Sequence, residues 1–289
     1  MQKAKIKIPA KLNLTLDITG QTENYHQIDS LVCSVNLFDE IVIKKRNDDK
    51  INLKITKILV DCEEKDNNAY KATLLFKKAY LDLVGNDKNF GVDIKIKKNI
   101  PLANGLGGSS ADASGTLLCL QKLFNTNFDL SEMADKIGSD CSYMLKGGFA
   151  RISGRGEIVE SIDYGRNLYF LIVTSISRVS TKECYDKFDK KDYELTPCTS
   201  DVLRALKCLD FNNFLDGLSN HLYKPACELL SEIEKRQKIL SNFGKTVMTG
   251  SGSALFLVFA DKKKRKKAYK KIKKLYKKQV IKAETINFN

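Results

Sequence analysis

The sequence predicts an α+β protein of two domains. Segments with the period of strands and segments with the period of helices follow one another without regular βαβ alternation, which favours α+β over a doubly wound sheet. The chain has 289 residues, 43% of them hydrophobic, enough to bury the cores of two medium-sized domains. The pattern breaks at Asp163-Tyr164-Gly165. We therefore expect one domain over residues 1–163 and a second over residues 164–289.

The first predicted domain opens with a strand. Leu12, Leu14, Leu16 and Ile18 alternate with polar residues, so they share one side of an extended segment that ends at Gly20. The same alternation predicts strands at 40–45, 51–58 and 92–97, and helical spacing predicts helices at 69–83, 111–124 and 130–137. Glycines at 147–148 and at 154 and 156 indicate a hairpin.

The second predicted domain begins with a buried strand at 168–174. Helices are predicted at 181–188, 200–209 and 225–240, followed by a glycine-interrupted strand pair at 245–259 and a last strand at 279–286. A basic helix is predicted before the last strand, in the tract KKKRKKAYKKIKKLYKKQVIK of residues 262–282. Its apolar positions recur at helical spacing, at Ala268, Ile272, Leu275 and Tyr276.

The net charge of +14 leaves two interpretations of the basic tract open. A run of charge is usually the solvated face of a surface helix, and a basic surface also attracts polyanionic nucleotides. The alternative is a nucleic-acid-binding protein, although Tyr269 and Tyr276 are the few aromatic residues within the tract on which bases could stack. We expect no nucleic-acid partner.

Membrane and zinc-binding functions are not expected. No run of eighteen apolar residues occurs and the N-terminal segment has no hydrophobic signal core, so a cytoplasmic protein without a membrane partner is expected. No C-x-x-C pair is present, and only His26 and His221 could complete a metal cluster, so scattered reduced thiols are favoured. The eight cysteines are Cys33, Cys62, Cys119, Cys141, Cys184, Cys198, Cys208 and Cys227.

A glycine-rich segment after the strand at 92–97 predicts phosphate binding. Glycines allow backbone conformations and close approaches that side chains prevent, and the following helix offers unpaired N–H groups to an anion. We expect this segment to bind ATP, with Ser110 as a candidate magnesium ligand; a structural turn capped by serine is the alternative. The predicted residues are Pro101, Leu102, Ala103, Asn104, Gly105, Leu106, Gly107, Gly108, Ser109, Ser110 and Ala111.

Two further residues can supply what a kinase needs beyond phosphate binding. Lys11 can offset charge on the transferring phosphoryl group, and Asp140 can orient or deprotonate an acceptor hydroxyl. Taken alone, Lys11 is a solvated charge on a strand edge and Asp140 is a turn residue after a helix. Asn13 lies on the same face of the strand as Lys11. Combined with the glycine-rich segment, the pair predicts an ATP-dependent small-molecule kinase.

Four segments, in order along the chain, resemble the GHMP kinase superfamily. They are PAKLNLTLDITG from Pro9, IPLANGLGGSSADA from Ile100, IGSDCSYMLKGGFARISGRGE from Ile137 and MTGSGSALFLVF from Met248. The resemblance implies a two-domain GHMP kinase fold, with an N-terminal domain like domain 2 of ribosomal protein S5 and a ferredoxin-like C-terminal domain. It also implies ATP as co-substrate with Mg²⁺, and Lys11 and Asp140 as the catalytic pair.

Tyr25-His26 and the downstream segment from Asp29 to Ile41 narrow the resemblance. They are similar to a branch of the superfamily that phosphorylates a cytidine diphosphate alcohol in isoprenoid biosynthesis. Taken alone, Tyr25-His26 would predict only a surface turn. This resemblance implies a small-molecule substrate, and we expect a monomer or weak dimer. The implied site residues are Asn13, Tyr25, His26, Thr181 and Tyr185 for the substrate, and Asn67 and Lys98 for the adenine side of ATP.

Three departures from the family pattern keep alternatives open. Ser109 replaces the third glycine of the usual G-L-G-G-G-S-S-D-A, and Gly20-Gln-Thr-Glu-Asn-Tyr-His replaces G-R-x-D-G-Y-H. Tyr223 stands at a position that is usually acidic. A mevalonate or homoserine kinase is one alternative, against which Tyr25-His26 argues. An inactive relative is another, and the presence of both Lys11 and Asp140 argues against it.

Overall fold

The computed structural model describes residues 2–22, 25–58, 63–85 and 88–287, so Cys62 lies outside the described residues. Strands and helices are mixed within the chain, as predicted. The strands are β1 (Lys3–Asn13), β2 (Asp17–Gln21), β3 (His26–Arg46), β4 (Ile51–Thr56), β5 (Gly91–Lys97), β6 (Phe149–Gly154), β7 (Ile158–Ile162), β8 (Tyr169–Val173), β9 (Thr246–Met248), β10 (Leu255–Phe259) and β11 (Val280–Glu284). The helices are α1 (Asn68–Val84), α2 (Gly108–Phe124), α3 (Leu130–Ile137), α4 (Cys141–Lys146), α5 (Thr181–Phe188), α6 (Thr199–Lys207), α7 (Phe211–Gly217), α8 (Tyr223–Leu229), α9 (Glu232–Leu240) and α10 (Lys262–Tyr276).

Contacts divide the chain into two compact units, each built from separate stretches. The first unit contains Met1–Ala10, Leu37–Leu102 and Gly107–Lys146, and the second contains Lys11–Asn36, Ala103–Leu106 and Gly147–Asn289. The chain therefore enters and leaves each unit more than once, and β1 and β3 pass from one to the other. The predicted division into consecutive domains at residue 163 stays a prediction.

The first unit packs helices on a small sheet. Its central strand, β5, pairs antiparallel with the second half of β3 and parallel with β4. Apolar residues at helical spacing on α1 pack against α2, and the rings of Phe90 and Phe124 stack at 4.6 Å between centroids. Helix α1 ends at Val84, one residue beyond the predicted end, and the N–H of its C-cap residue, Gly85, donates to the carbonyl of Leu81.

The second unit contains a four-stranded antiparallel sheet in the order β11-β8-β10-β9. Helices α5 to α9 connect β8 to β9, and α10 connects β10 to β11, which is the β-α-β-β-α-β order of a ferredoxin-like domain. Ile272 of α10 belongs to the same buried core as Leu171 and Leu257 of the sheet. In the same unit, the first half of β3 pairs with β2 and β6, and β6 pairs with β7.

Two segments predicted as continuous elements are interrupted in the structure. The predicted strand from Leu12 to Ile18 is interrupted between β1 and β2, because the N–H groups of Leu14 and Leu16 bond instead to the carbonyls of Leu31 and Ser219, at 2.7 and 3.1 Å. The helix predicted at 225–240 is two helices, since the chain leaves helical geometry at Leu230 (φ −143°, ψ 89°). The short helices α4 and α7 and the first half of β3 were not predicted.

None of the helices in the described part of the chain is both long and apolar enough to cross a bilayer. The seven cysteines among the described residues are free thiols.

Candidate active site

The glycine-rich segment connects β5 to α2, as the sequence predicts. Gly105 and Gly107 have φ of 74° and 72°, in the left-handed region that favours glycine. A Cβ atom at Gly105 would lie 2.0 Å from the carbonyl oxygen of Thr249, so a side chain cannot fit. Helix α2 begins at Gly108, and its N-cap residue, Gly107, has no side chain to bond the first N–H groups. Those groups lack intrahelical partners, which makes this helix end suited to an anion.

A buried ion cluster of Asp39, Lys98 and Asp112 supports the start of α2. Lys98 is 1% exposed, and its Nζ donates to the Asp39 carboxylate, to Oδ2 of Asp112 at 2.6 Å and to the carbonyl of Gly108 at 3.2 Å. Asp39 also accepts from the N–H of Ile100 at 2.9 Å. The three contacts match the three protons of an ammonium group. The predicted contact of Lys98 with adenine stays a prediction.

Asp112 is the unusual member of this cluster. Burial raises the pKa of Asp112 to about 7; the Lys98 ammonium lowers it, and the Asp39 carboxylate adds to the rise. Its Oδ1 is buried and has no hydrogen-bond partner among the residues described here. One cation therefore serves two carboxyl groups, and burial favours the protonated form of Asp112.

Asp140 lies at the start of α4, where its carbonyl accepts from the N–H of Met144 at 3.0 Å. The residue is half-buried. Its neighbour Cys141 is tied to α2, because the Ser114 hydroxyl donates to the Cys141 carbonyl at 2.8 Å. Helix α2 therefore fixes the segment that carries Asp140. The interpretation of Asp140 as only a turn residue after a helix missed α4.

The other residues predicted to bind ATP lie at loop and helix ends. Asn67 caps α1 by accepting from the N–H of Ala69 at 2.9 Å. Asn104 is buried, and its Oδ1 accepts from the N–H of Ser175 at 2.9 Å, which anchors the glycine-rich segment. Ser109 is exposed in the first turn of α2. Contacts of Asn67 and Ser109 with ATP stay predictions.

Lys11 and Asn13 lie at the end of β1 and are 4% and 2% exposed. The Lys11 ammonium donates to Oδ1 of Asn13, whose Nδ2 donates to the hydroxyl of Ser30 at 2.9 Å. The N–H of Lys11 donates to the carbonyl of Leu106 at 3.1 Å, so β1 continues directly beside the glycine-rich segment. A buried, hydrogen-bonded ammonium is not the solvated edge charge that Lys11 alone would suggest, and that alternative was wrong.

A second glycine loop, at residues 249–253, contacts both Asn13 and the glycine-rich segment. The Thr249 hydroxyl accepts from the N–H of Asn13 at 3.0 Å and donates to the carbonyl of Gly105 at 3.3 Å. A Cβ atom at Gly250 would lie 3.1 Å from Cα of Gly105, so the two glycine loops touch backbone to backbone. Sequence reasoning missed Thr249, although the alternating glycines of MTGSGS indicate a tight loop.

Asn220 and Ser251 are further residues that sequence reasoning did not assign to the site. Nδ2 of Asn220 donates to the carbonyls of Met248 and Gly250, at 2.9 and 2.8 Å, and so holds the second glycine loop in place. The Ser251 hydroxyl lies 2.9 Å from that of Thr181, at the start of α5. The loop therefore connects the Lys11–Asn13 pair to Thr181, one of the residues predicted near the alcohol.

The residues predicted to bind cytosine fall into two groups. His26 stacks on Tyr185, with 4.6 Å between ring centroids and 27° between planes, and its Nε2 lies 2.6 Å from Oδ1 of Asp189. Tyr25 is 52% exposed, and the guanidinium of Arg155 lies 5.0 Å from its ring centre. The structure therefore brings His26 and Tyr185 together. The contacts of Tyr25, His26 and Tyr185 with the substrate stay predictions.

Two family models and a relative of known name match this chain. The models of the GHMP kinases N terminal domain and the GHMP kinases C terminal match residues 67–150 and 202–278. The chain is 35% identical to the 4-diphosphocytidyl-2-C-methyl-D-erythritol kinase of Caldanaerobacter subterraneus subsp. tengcongensis, over 95% of this chain and 94% of that protein.

Solved structures share the fold. A crystal structure of 4-(cytidine 5'-diphospho)-2C-methyl-D-erythritol kinase matches with a TM-score of 0.75 and 26% identity, covering 97% of this chain and 98% of that one. The homoserine kinase of Cytophaga hutchinsonii matches with a TM-score of 0.74 and 17% identity, over 100% and 95% of the two chains, which shows the fold alone.

The fold, the glycine loop and the two family matches define an ATP-dependent small-molecule kinase of the GHMP class. The identity over nearly the whole length then narrows this class. The chain belongs to the 4-diphosphocytidyl-2-C-methyl-D-erythritol kinase family. The α+β fold and the kinase class predicted from the sequence are confirmed.

Proposed function

We propose that this chain transfers the terminal phosphoryl group of ATP to the 2-hydroxyl of 4-diphosphocytidyl-2-C-methyl-D-erythritol, a step of the non-mevalonate route to isoprenoid precursors. The observation that carries the proposal is the buried Lys11–Asn13 pair, which is hydrogen-bonded through its backbone to Leu106 of the glycine-rich segment. A cation held in this way beside an anion-binding loop suits phosphoryl transfer, where catalysis is mainly positioning and charge stabilisation.

The catalytic roles follow from the chemistry of the side chains. Lys11 offsets the negative charge that develops on the transferring group, and Asp140 orients the acceptor hydroxyl or accepts its proton. The glycine-rich segment and the first N–H groups of α2 bind the phosphates. Mg²⁺ keeps several waters and is usually held by substrate phosphates with one or two protein oxygens. The half-buried hydroxyl of Ser110, in the first turn of α2, is an oxygen donor that fits such a site.

The cluster of His26 and Tyr185 supports a heterocyclic substrate. Aromatic faces bind bases by stacking, at about 1–3 kcal/mol per base, and an imidazole can hydrogen-bond a pyrimidine edge. Tyr25, 52% exposed, offers another ring face for the cytosine. Asn13 and Thr181 are proposed to contact the alcohol, since Thr249 and Ser251 of the second glycine loop link both to one segment.

The proposed setting is a cytoplasmic monomer or weak dimer that binds neither nucleic acid nor membranes.

A coupled assay of ADP release tests the proposed substrate. We expect turnover with 4-diphosphocytidyl-2-C-methyl-D-erythritol and none above background with mevalonate or homoserine. The second candidate function is the homoserine or mevalonate kinase that the sequence left open, since such kinases share the fold. Turnover of either compound in preference to the cytidine alcohol would establish that candidate instead.

A further inference from the structure

A groove in the second unit is lined by none of the residues assigned to the candidate active site. Its volume is about 400 Å³, within the range of small-molecule sites. Its apolar floor contains the half-buried rings of Phe211 and Phe243 together with Leu215 and the buried Phe259. We call this feature the lysine groove, because four lysines line it: Lys245, Lys264, Lys267 and Lys271.

Three of these lysines lie on one face of a helix, and a hydrogen bond holds the fourth. Lys264, Lys267 and Lys271 are spaced three and four residues apart, so they project from one face of α10, and all three are exposed. Lys245 is held from the other side, because its Nζ donates to the carbonyl of Asp216 at 2.9 Å. Like charges at this helical spacing destabilise a helix slightly. The groove therefore concentrates positive charge around an apolar surface.

The described lining of the groove lacks an acidic side chain that could neutralise this charge. No aspartate or glutamate occurs among the described residues that line the groove. The carboxylates at the neighbouring helix starts serve as caps instead: Asp261 accepts from the N–H of Lys264 at 2.7 Å, and Asp210 accepts from the N–H of Asn213 at 3.1 Å. An anionic ligand would neutralise the positive charge of the lysines that line the groove.

We propose that the lysine groove binds a phosphate monoester of an alcohol with a short apolar tail. The phosphate lies among Lys264, Lys267 and Lys271, because ammonium groups bind phosphate as point charges. The tail covers Phe211, Leu215 and Phe243, whose apolar surface a free phosphate would leave exposed. A flat bilayer would contact the exposed lysines without filling a groove of about 400 Å³, and nucleic acid would leave the aliphatic residues of the groove uncovered.

Calorimetric titration of the full chain with octyl phosphate tests the proposal. We expect one site whose affinity for octyl phosphate is at least about tenfold higher than its affinity for inorganic phosphate or for octanol. Inorganic phosphate can contact only the lysines, and octanol can cover only the apolar residues. The double substitution Lys267→Gln with Lys271→Gln should weaken this binding about tenfold or more. Lys266→Gln with Lys270→Gln is the matched control, because these lysines lie on the same helix outside the groove. It should change the affinity by less than about twofold.

Three results would overturn the proposal: no binding, equal affinity for octyl phosphate and inorganic phosphate, or equal weakening by both double substitutions. Sedimentation with vesicles of equal phosphatidylglycerol and phosphatidylcholine separates a membrane source. Vesicle binding that competes with octyl phosphate and falls equally in both double variants would show that general surface charge binds the lipid, contrary to the proposal. Kinase activity should be unchanged in both variants, because none of these lysines belongs to the proposed active site.

Discussion

Asp140 and Cys141 show how one residue of the proposed chemistry is held in place. The Cys141 carbonyl accepts a hydrogen bond from the Ser114 hydroxyl of α2, so Asp140, which precedes Cys141, is held close to that helix. Asp140 is thus anchored to the helix whose first turn is proposed to bind the phosphates. A carboxylate in this position can orient a hydroxyl without large rearrangement.

Substitution of Asp140 tests its role directly. Asp140→Asn should lower kcat by about a hundredfold or more, as expected when an acid–base group is lost, while ATP binding is nearly unchanged. The coupled assay and an ATP titration measure the two quantities. Asp82→Asn, an exposed carboxylate on α1, controls for the loss of one charge. Turnover retained in Asp140→Asn would show that this residue was wrongly assigned.

Asp112 predicts a pH dependence of stability. Because its pKa is raised from 3.8 to about 7 in the fold, the folded state holds a proton that the unfolded state releases between those values. The free energy of unfolding should therefore fall as pH rises from about 4 to about 7. The neutral Asp112→Asn cannot release a proton, so this fall should be missing.

Urea unfolding at several pH values between about 5 and 8 measures this difference. As the pH rises toward about 7, the free energy of unfolding of Asp112→Asn should increase relative to that of the natural chain by about 1 kcal/mol per pH unit. A difference that stays constant with pH would mean that Asp112 keeps the same protonation state throughout.

At the scale of elements, the contact between the two glycine loops offers a sharp comparison. Gly105 and Gly148 share a φ of 74°, but a Cβ atom would meet the Thr249 carbonyl at Gly105 and nothing within 4 Å at Gly148. Gly148→Ala should cost about 1–2 kcal/mol, the cost of left-handed backbone. Gly105→Ala should cost clearly more, or displace the loop and raise KM for ATP. Thermal unfolding and ADP-release kinetics measure both, and equal effects of the two substitutions would contradict the loop contact.

The sequence predicted elements well where periodicity was strong. Helices α3 and α5 begin and end where predicted, and their N-caps are Asp129, which accepts from the Ser131 N–H, and Ser180, which accepts from the Glu183 N–H. Helices α4 and α7 have six and seven residues, too few for a helical period to emerge. Residues 30–35 of β3 are all buried, so the alternation that marks a strand is absent there.

At the scale of the whole molecule, the candidate site was predictable only where it is local in sequence. The glycine-rich segment and Tyr25-His26 are short motifs. Their partners are distant: Thr249 bonds Asn13 across 236 residues, and Lys98 bonds Asp39 across 59. No pattern in a single sequence encodes such pairings, because the fold creates them. The buried state of Lys11 likewise depends on neighbours brought together from separate stretches.

The nature of the phosphorylated product tests the central claim most directly. The full chain is incubated with ATP, Mg²⁺ and 4-diphosphocytidyl-2-C-methyl-D-erythritol, and the product is examined by phosphorus NMR and mass spectrometry. We predict a product heavier by one phosphoryl group, with the diphosphate bridge intact and a new phosphate monoester on the 2-hydroxyl. Release of ADP with an unmodified cytidine compound, or transfer to mevalonate or homoserine instead, would contradict it.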